Sequence, residues 1–347
     1  VSCRASIAWA RRWRNNLALS RLSISVVFYH ICWINVAHIR NVHKSVIVRS
    51  GMAMPKNPKI EWPTVTLFLL TYAVWIWALF WLAGGALWLA VPVAAVAIAF
   101  QGSLQHEAIH DHPTRWASVN TGLAWPPLSL VVPYLRFRDT HLDHHRDAHL
   151  TDPYDDPESH FMTSGDWASL PVALRALLCV NNTLAGRLAL GPVIGTVCFI
   201  RSEWRQRRFD PRIVRGWAWH AIAVGPVVSL VFLSQMPLWS YALSAYLALS
   251  LLRIRTFLEH QAHEQSRARS VIIEDRGPLA LLFLNNNLHV VHHAHPQVAW
   301  YRLPALYRAH RDRFLAMNEG YRFGSYSEIF RRYFVVRKDP VAHPLRR

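Results

Sequence analysis

Three histidines in one short tract set out the chemistry this chain can do. Thr140–Pro157 reads THLDHHRDAHLTDPYDDP, with His141, His144 and His145 at its centre. On a helix, offsets of three and four residues place all three imidazoles on one face. Such a tract is either a polar surface turn rich in histidine or a set of metal ligands, because imidazole binds iron, zinc and copper. Two further clusters share the pattern. His106 and His110 stand in QHEAIHDH as H-x3-H. His289, His292 and His293 stand in NNNLHVVHHAHP and repeat H-x2-HH.

These clusters supply eight candidate ligands, too many for one four-coordinate zinc and suited to two ions of higher coordination. Glu107, Asp111, Asp143, Asp147, Asp152 and Asp156 lie beside them. A metal-bound imidazole donates its other ring N–H to a carboxylate or carbonyl, and these acids can accept it. Pairing with Arg138 or Arg146 is their alternative use. His112, His149, His160, His263 and His295 read as surface or supporting histidines, and His220 as a helix–helix hydrogen-bond donor. HEAIH also fits H-E-x-x-H, in which two histidines bind zinc and Glu107 acts as general base. An intramembrane zinc protease would leave both H-x2-HH clusters without a use. A carboxylate di-iron bundle needs paired Glu-x-x-His motifs, and only Glu107–His110 provides one. A metal carrier would place histidines or acids in the middle of its spans.

The elements that must position these groups are apolar. The chain is 52% hydrophobic and 17% charged, with 16 Trp, 20 His and a net charge of +17. Soluble domains are nearer about a quarter charged. The excess of positive charge could mark a nucleic-acid binder, but this apolar content argues for a membrane protein with basic cytoplasmic parts and against nucleic acid. No charged residue occurs from Trp62 to Gln105, or from Gly216 to Leu252. A span takes about 20 apolar residues, so each run holds a pair. The first divides at Gly84-Gly85 into Pro63–Leu82 and Ala86–Gln105, and the second divides near Gln235-Met236-Pro237. Val119–Tyr134 and Leu188–Ile200 are shorter, and read as re-entrant or interfacial helices. Trp75, Trp77, Trp81 and Trp88 read as lipid-facing or interfacial, with an acyl tunnel lining as the alternative. The expected fold is an all-α integral membrane protein. Four transmembrane helices form two hairpins, and a helical cytoplasmic cap carries the three histidine boxes. The segments outside the hairpins hold nearly every Lys and Arg, which makes their side cytoplasmic. Residues 1–60 carry ten Lys or Arg and no acid, and the first methionine is Met52. This extension reads as sequence upstream of a start at Met52 or Met54, with a basic targeting segment as the alternative.

HEAIH, HLDHH and HVVHH resemble the boxes of the membrane-bound fatty acid desaturase superfamily, which also holds alkane hydroxylases and carotenoid-modifying oxygenases. The likeness runs from Ile60 to His295, and HHRDAHLTDPYDDPES is especially similar to the alkane hydroxylase and bacterial desaturase branches. The resemblance implies a non-haem di-iron centre that uses O2 to attack an unactivated C–H bond of a long-chain lipid or fatty acyl group. It implies a ninth ligand in a segment of the kind F-x-E-H. RTFLEHQAHE supplies His260 for that place, with His263 as its competitor. The implied metal ligands are His106, His110, His141, His144, His145, His260, His289, His292 and His293. Desaturation is the expected reaction, and hydroxylation of an alkane, fatty acid or carotenoid by the same centre is the alternative. The chain has no HPGG haem tract, no four-cysteine iron–sulfur site and no Rossmann glycine motif. Electrons are therefore expected from a separate ferredoxin, rubredoxin or reductase, and a basic cytoplasmic face suits an acidic donor. The expected parts are the extension 1–60, a membrane and di-iron domain 61–300, and a helical cytoplasmic tail 301–347.

Overall fold

The structure, a computed structural model, describes residues 59–146 and 150–346. The basic extension up to residue 58, with Met52 and Met54, lies outside the described residues, as do Asp147 and His149. The protein is mostly helical. Helix α1, Trp62–Gly85, begins with Pro63 in its first turn, where a missing N–H costs nothing, and contains a π-helical turn at Ala78–Leu82. It ends at Ala86, whose extended φ of −151° separates it from α2, Leu87–Ile109. The apolar window of α2 is 56% buried against 28% for α1, so α2 is the central helix and α1 packs outside it. After α2 come α3 (Ala117–Ala124), α4 (Tyr134–Arg146), α5 (Ser164–Ser169) and α6 (Val172–Asn181). Then follow α7 (Leu184–Gln206), α8 (Pro211–Leu233) and α9 (Leu238–Thr256). Among the described residues α1, α2, α7 and α8 are long and apolar enough to cross a membrane.

That set differs from the expected one. Leu188–Ile200 is part of the 23-residue helix α7, which Thr183 caps by accepting from Gly186 N at 3.0 Å and which continues through Pro192 into the polar turn before Gln206. The second uncharged run does break at Ser234–Pro237, but the 19-residue α9 carries Arg253 and Arg255 in its last turn and is not among the helices long and apolar enough to cross a membrane. Val119–Tyr134 is not one helix. Beyond α3 the chain runs without helix from Trp125 to Pro133, because Pro126, Pro127 and Pro133 break the hydrogen-bond ladder. Its carbonyls would be stranded among apolar helices. Polar side chains from the surrounding helices donate to them: Tyr72 to Leu123 O at 2.6 Å, Gln105 to Ala124 O at 2.8 Å, Gln101 to Pro126 O at 2.8 Å and Tyr241 to Leu128 O at 2.7 Å. His220 Nε2 lies 3.1 Å from Leu130 O, so it serves this segment and not a helix–helix contact. Trp77, Trp81 and Trp88 face outward, whereas Trp75 is buried edge-on against Tyr241.

The C-terminal part is built from short pieces. Strand β1 (Ile272–Ile273) precedes α10 (Pro278–Leu282), α11 (His289–Ala294), α12 (Leu303–Ala309) and α13 (Arg311–Met317). Strand β2 (Arg322–Phe323) pairs in parallel with β1 and leads into α14 (Tyr326–Tyr333). At one end of the bundle the α1–α2 turn meets the α8–α9 turn. Gln235 N donates to Leu79 O at 3.2 Å, and its side chain lies against Gly84, where a Cβ would collide. The histidine clusters lie at the other end. There α4 is anchored by Arg136, whose guanidinium holds Glu203 at the end of α7 through bonds of 2.8 and 3.1 Å. Trp217 Nε1 of α8 donates to the same carboxylate at 3.1 Å. Arg136 and Glu203 are 3% and 4% exposed, so removing the cation strands a buried charge. Arg136→Leu is expected to cost about 3–5 kcal/mol, read as a lowered midpoint of thermal unfolding in detergent. An unchanged midpoint would show that this pair does not anchor α4.

Candidate metal centre

Four separate parts of the chain deliver nine histidines to one buried region. His106 and His110 come from the end of α2, His141, His144 and His145 from α4, His260 from the segment after α9, and His289, His292 and His293 from α11. Their nitrogens fall into two groups. His106, His110, His141, His145 and His292 form one, and His144, His260, His289 and His293 the other. Within each group the candidate ligand atoms lie within 4.8 Å of one another. The groups adjoin, with His145 stacked on His293 at a centroid separation of 4.2 Å.

Local structure explains the aim of each ring. His141 Nδ1 lies 2.8 Å from Glu158 Oε1, and His144 Nδ1 lies 2.8 Å from Asp156 Oδ1. His289 Nδ1 lies 3.2 Å from Asn286 Oδ1, and the Asn286 amide donates to Glu259 Oε1 at 3.1 Å. Glu259 is held in turn by Arg255 at 2.8 Å. Each partner can accept the Nδ1 proton of its ring, which directs Nε2 inward as the atom free to bind a metal. Inward Nε2 atoms then meet each other: His141 and His110 at 3.1 Å, His144 and His260 at 3.1 Å, His292 and His145 at 3.2 Å. His106 Nε2 is buried with no hydrogen-bond partner.

Helix α11 is only six residues long and cannot hold its place by itself. Val290 N donates to Val271 O at 3.2 Å, and Ile273 N to Asn287 O at 2.8 Å. The Asn287 side chain returns a 2.6 Å bond to Ile273 O. Asn285 sits at φ +56°, a left-handed position that asparagine tolerates better than most residues, and its amide donates to Trp300 O at 3.1 Å. The Asn285–Asn287 run is thus the bracket of the third box.

Electrostatics favour neutral ligands. Burial, followed by neighbouring charges that are mostly imidazoles, holds His110, His145, His260, His289, His292 and His293 well below the usual imidazole range. Burial works against a charged His144 too, but Glu158 and Asp156 outweigh it and push that ring up to about 9. Burial would raise Glu158, yet His141 and His144 hold it well below the usual carboxylate range. Imidazole nitrogens converging in this way, most of them on rings that burial keeps neutral, are a donor set for borderline metal ions. A set of five exceeds tetrahedral zinc coordination.

The other sequence candidates lie elsewhere. His263 is 3.5 Å from Glu319, His112 Nδ1 is 2.7 Å from Glu61, His160 stacks on Phe161, and His295 meets Phe314 edge-on. Of the acids singled out by position, Asp156 alone among the described ones bonds a box histidine. Asp152 caps its own turn at Tyr154 N and holds Arg346, Asp143 faces Arg212, and Asp111 turns outward at φ +67°. Glu107 accepts from Trp300 N at 3.2 Å and stays 4.0 Å from His106 Nδ1. Glu158, Glu259 and Asn286 were missed. Adjacency to His260 and His289 was the signal for Glu259 and Asn286, whereas Glu158 stands well beyond His145 in sequence and only the intervening loop returns it to His141.

A helical bundle with membrane-length helices and a buried polyhistidine metal site at one end defines the class. The family model for fatty acid desaturase matches residues 86–325, well over half of the chain, and the chain belongs to the fatty acid desaturase family. The match takes in all three boxes and His260, and runs past His295 through β2. No curated protein matches the chain. Family membership makes it an oxidoreductase of lipids with a histidine-rich metal site in a membrane context. Asp156→Asn and Glu158→Gln should each weaken metal retention about 10–100-fold, read by competition with a chelator. Unaltered retention in both would remove these carboxylates from the site.

Proposed function

We propose that this protein is a multi-pass membrane desaturase that removes two hydrogens from a long-chain fatty acyl group. Two iron ions fit the site, one held by His106, His110, His141, His145 and His292, the other by His144, His260, His289 and His293. The observation that carries this reading is the pair of nitrogen groups, five and four strong, each within 4.8 Å. Iron there would supply the O2 chemistry that breaks an unactivated C–H bond. The protein's own part is to orient the ligands through Glu158, Asp156 and Asn286, and to keep the imidazoles neutral by burial. Hydroxylation of an alkane, fatty acid or carotenoid would use the same residues and appear as an alcohol product. A zinc protease would employ His106 and His110 and leave seven clustered imidazoles idle.

Convergence also constrains the membrane topology. Histidines before and after α7–α9 meet at one site, so an even number of crossings separates them. Both ends and the middle of α7 touch elements at the histidine end. Arg187 lies over Phe257, Gly195 against Arg253, and Glu203 against Arg136. These contacts support an α7 lying along the interface, with α1–α2 and α8–α9 as the two spanning hairpins and their turns meeting at Gln235. The boxes then lie on the basic, cytoplasmic side. The exposed Arg308 and Arg313, on helices covering α11, suit an acidic ferredoxin, rubredoxin or reductase as electron donor.

Cells expressing the chain should accumulate unsaturated acyl chains detectable by lipid mass spectrometry. His144→Ala and His292→Ala should abolish that product and lower iron content. His260→Ala should do the same, while His263→Ala should leave most activity. Full activity in the His144 or His292 variant, or a stronger loss at His263 than at His260, would refute the ligand set.

A further inference from the structure

Two arginines near the histidine end have no role in the metal centre. Gly191 and Gly195 stand four residues apart on one face of α7, and the Arg253 side chain of α9 lies in the notch they leave. A Cβ at Gly195 would come 2.9 Å from Arg253 Cζ. One at Gly191 would come 3.4 Å from Arg253 Cγ and 3.1 Å from Arg187 Cδ. The two side chains therefore converge on the same strip of helix. Among the described residues the Arg253 guanidinium makes no hydrogen bond or ion pair. Arg187 spends only Nε, on Asn181 O at 3.0 Å, and lies over the Phe257 ring. The acids at this end are already taken. Asp339 pairs with Lys338 at 3.0 Å, Glu259 with Arg255 at 2.8 Å, and Glu203 with Arg136 at 2.8 Å.

Half-buried guanidinium groups brought together without a carboxylate repel each other and lose hydration. A helix that gives up two side chains to house one of them is shaped for that charge. Among the described residues no carboxylate pairs with either guanidinium, and Asp339 and Glu259 act on them only from a distance, which leaves the pair open to an anion from outside the chain. Guanidinium pairs recognise planar or tetrahedral oxyanions through several parallel N–H bonds. The outer face of α7 supplies the setting, since Val193 and Ile200 are 55% and 44% exposed on an apolar helix. We infer that Arg187 and Arg253 bind the phosphate or carboxylate head of a lipid in the α7–α9 notch. This rests on the proposed function only for placing the notch at the level of lipid heads. The source is a bilayer phospholipid or the head of the substrate itself.

The test uses the full chain, purified in detergent with its iron and equilibrated with phosphatidylglycerol, a long-chain fatty acid, uncharged diacylglycerol or inorganic phosphate. Native mass spectrometry reads what stays bound. The expected result is at least a tenfold preference for an anionic lipid over diacylglycerol. Arg253→Gln and Arg187→Gln should lose that preference, and Arg253→Lys should keep part of it. Gly195→Val, which crowds the guanidinium without changing charge, should also lower retention. Phosphatidylglycerol retained without fatty acid assigns the notch to a bilayer lipid, and fatty acid retained assigns it to the substrate head. Equal retention of diacylglycerol and anionic lipid by the unaltered protein overturns the inference, even if a variant fails to fold. Phosphate binding without lipid retention, or unchanged retention in Arg253→Gln of normal iron content, overturns it as well. None of these readouts depends on lipid oxidation, so they stand apart from a failure of the desaturase reading.

Discussion

Imidazole nitrogens from distant parts of the chain face one another at hydrogen-bond distance in this protein, and its architecture follows from keeping them there. Glu158, Asp156 and Asn286 each occupy the Nδ1 edge of one ring, so the Nε2 edge has no choice but to point inward. Burial disfavours the charged form of most of these rings, so their inward nitrogens are available as donors to a metal. What remains is a demand for a cation that the polypeptide cannot meet from its own side chains.

The helices that satisfy this demand are arranged about α2. Its lower half is apolar and packed, and its last turn carries His106 and His110 beside α4. Proline-rich chain at Trp125–Pro133 occupies space a straight helix would fill, and donors on α1, α2, α8 and α9 compensate its open carbonyls. The same polar groups therefore fix the relative heights of those helices. An apolar bundle alone would allow them to slide. Polar bonds inside the bundle and charge pairs such as Arg136–Glu203 at its end are two parts of one positioning scheme.

Much of this was readable from residue types. The spacings of the three boxes placed their rings on helical faces, and two uncharged runs marked paired apolar helices. The break at Ser234–Pro237 was visible in Gln235-Met236-Pro237. The length of α7 was not, because only Leu188–Ile200 stands out as apolar, while Thr183 capping and tertiary packing carry the helix beyond both ends of that piece. The acids were harder still. Proximity in sequence favoured Glu107, Asp111 and Asp143, whereas helical phase turns them away from the rings and a loop brings Glu158 back onto His141. The part played by the Asn285–Asn287 run was not legible, since it depends on a left-handed backbone and on strand β1, neither of which periodicity reveals.

The pairing of β1 with β2 carries a consequence for the order in which the molecule is made. The brace under α11 includes Ile272–Ile273, which is paired with Arg322–Phe323 and bonded through Ser270 to Asn318 at 3.1 Å. During synthesis the first two boxes leave the ribosome long before that brace exists. Until the segment around Phe323 has emerged, His289, His292 and His293 have no fixed position, and both nitrogen groups lack members. Loading with metal is thereby deferred until β2 has emerged, so a nascent fragment ending short of β2 would carry half-built sites that release what they capture.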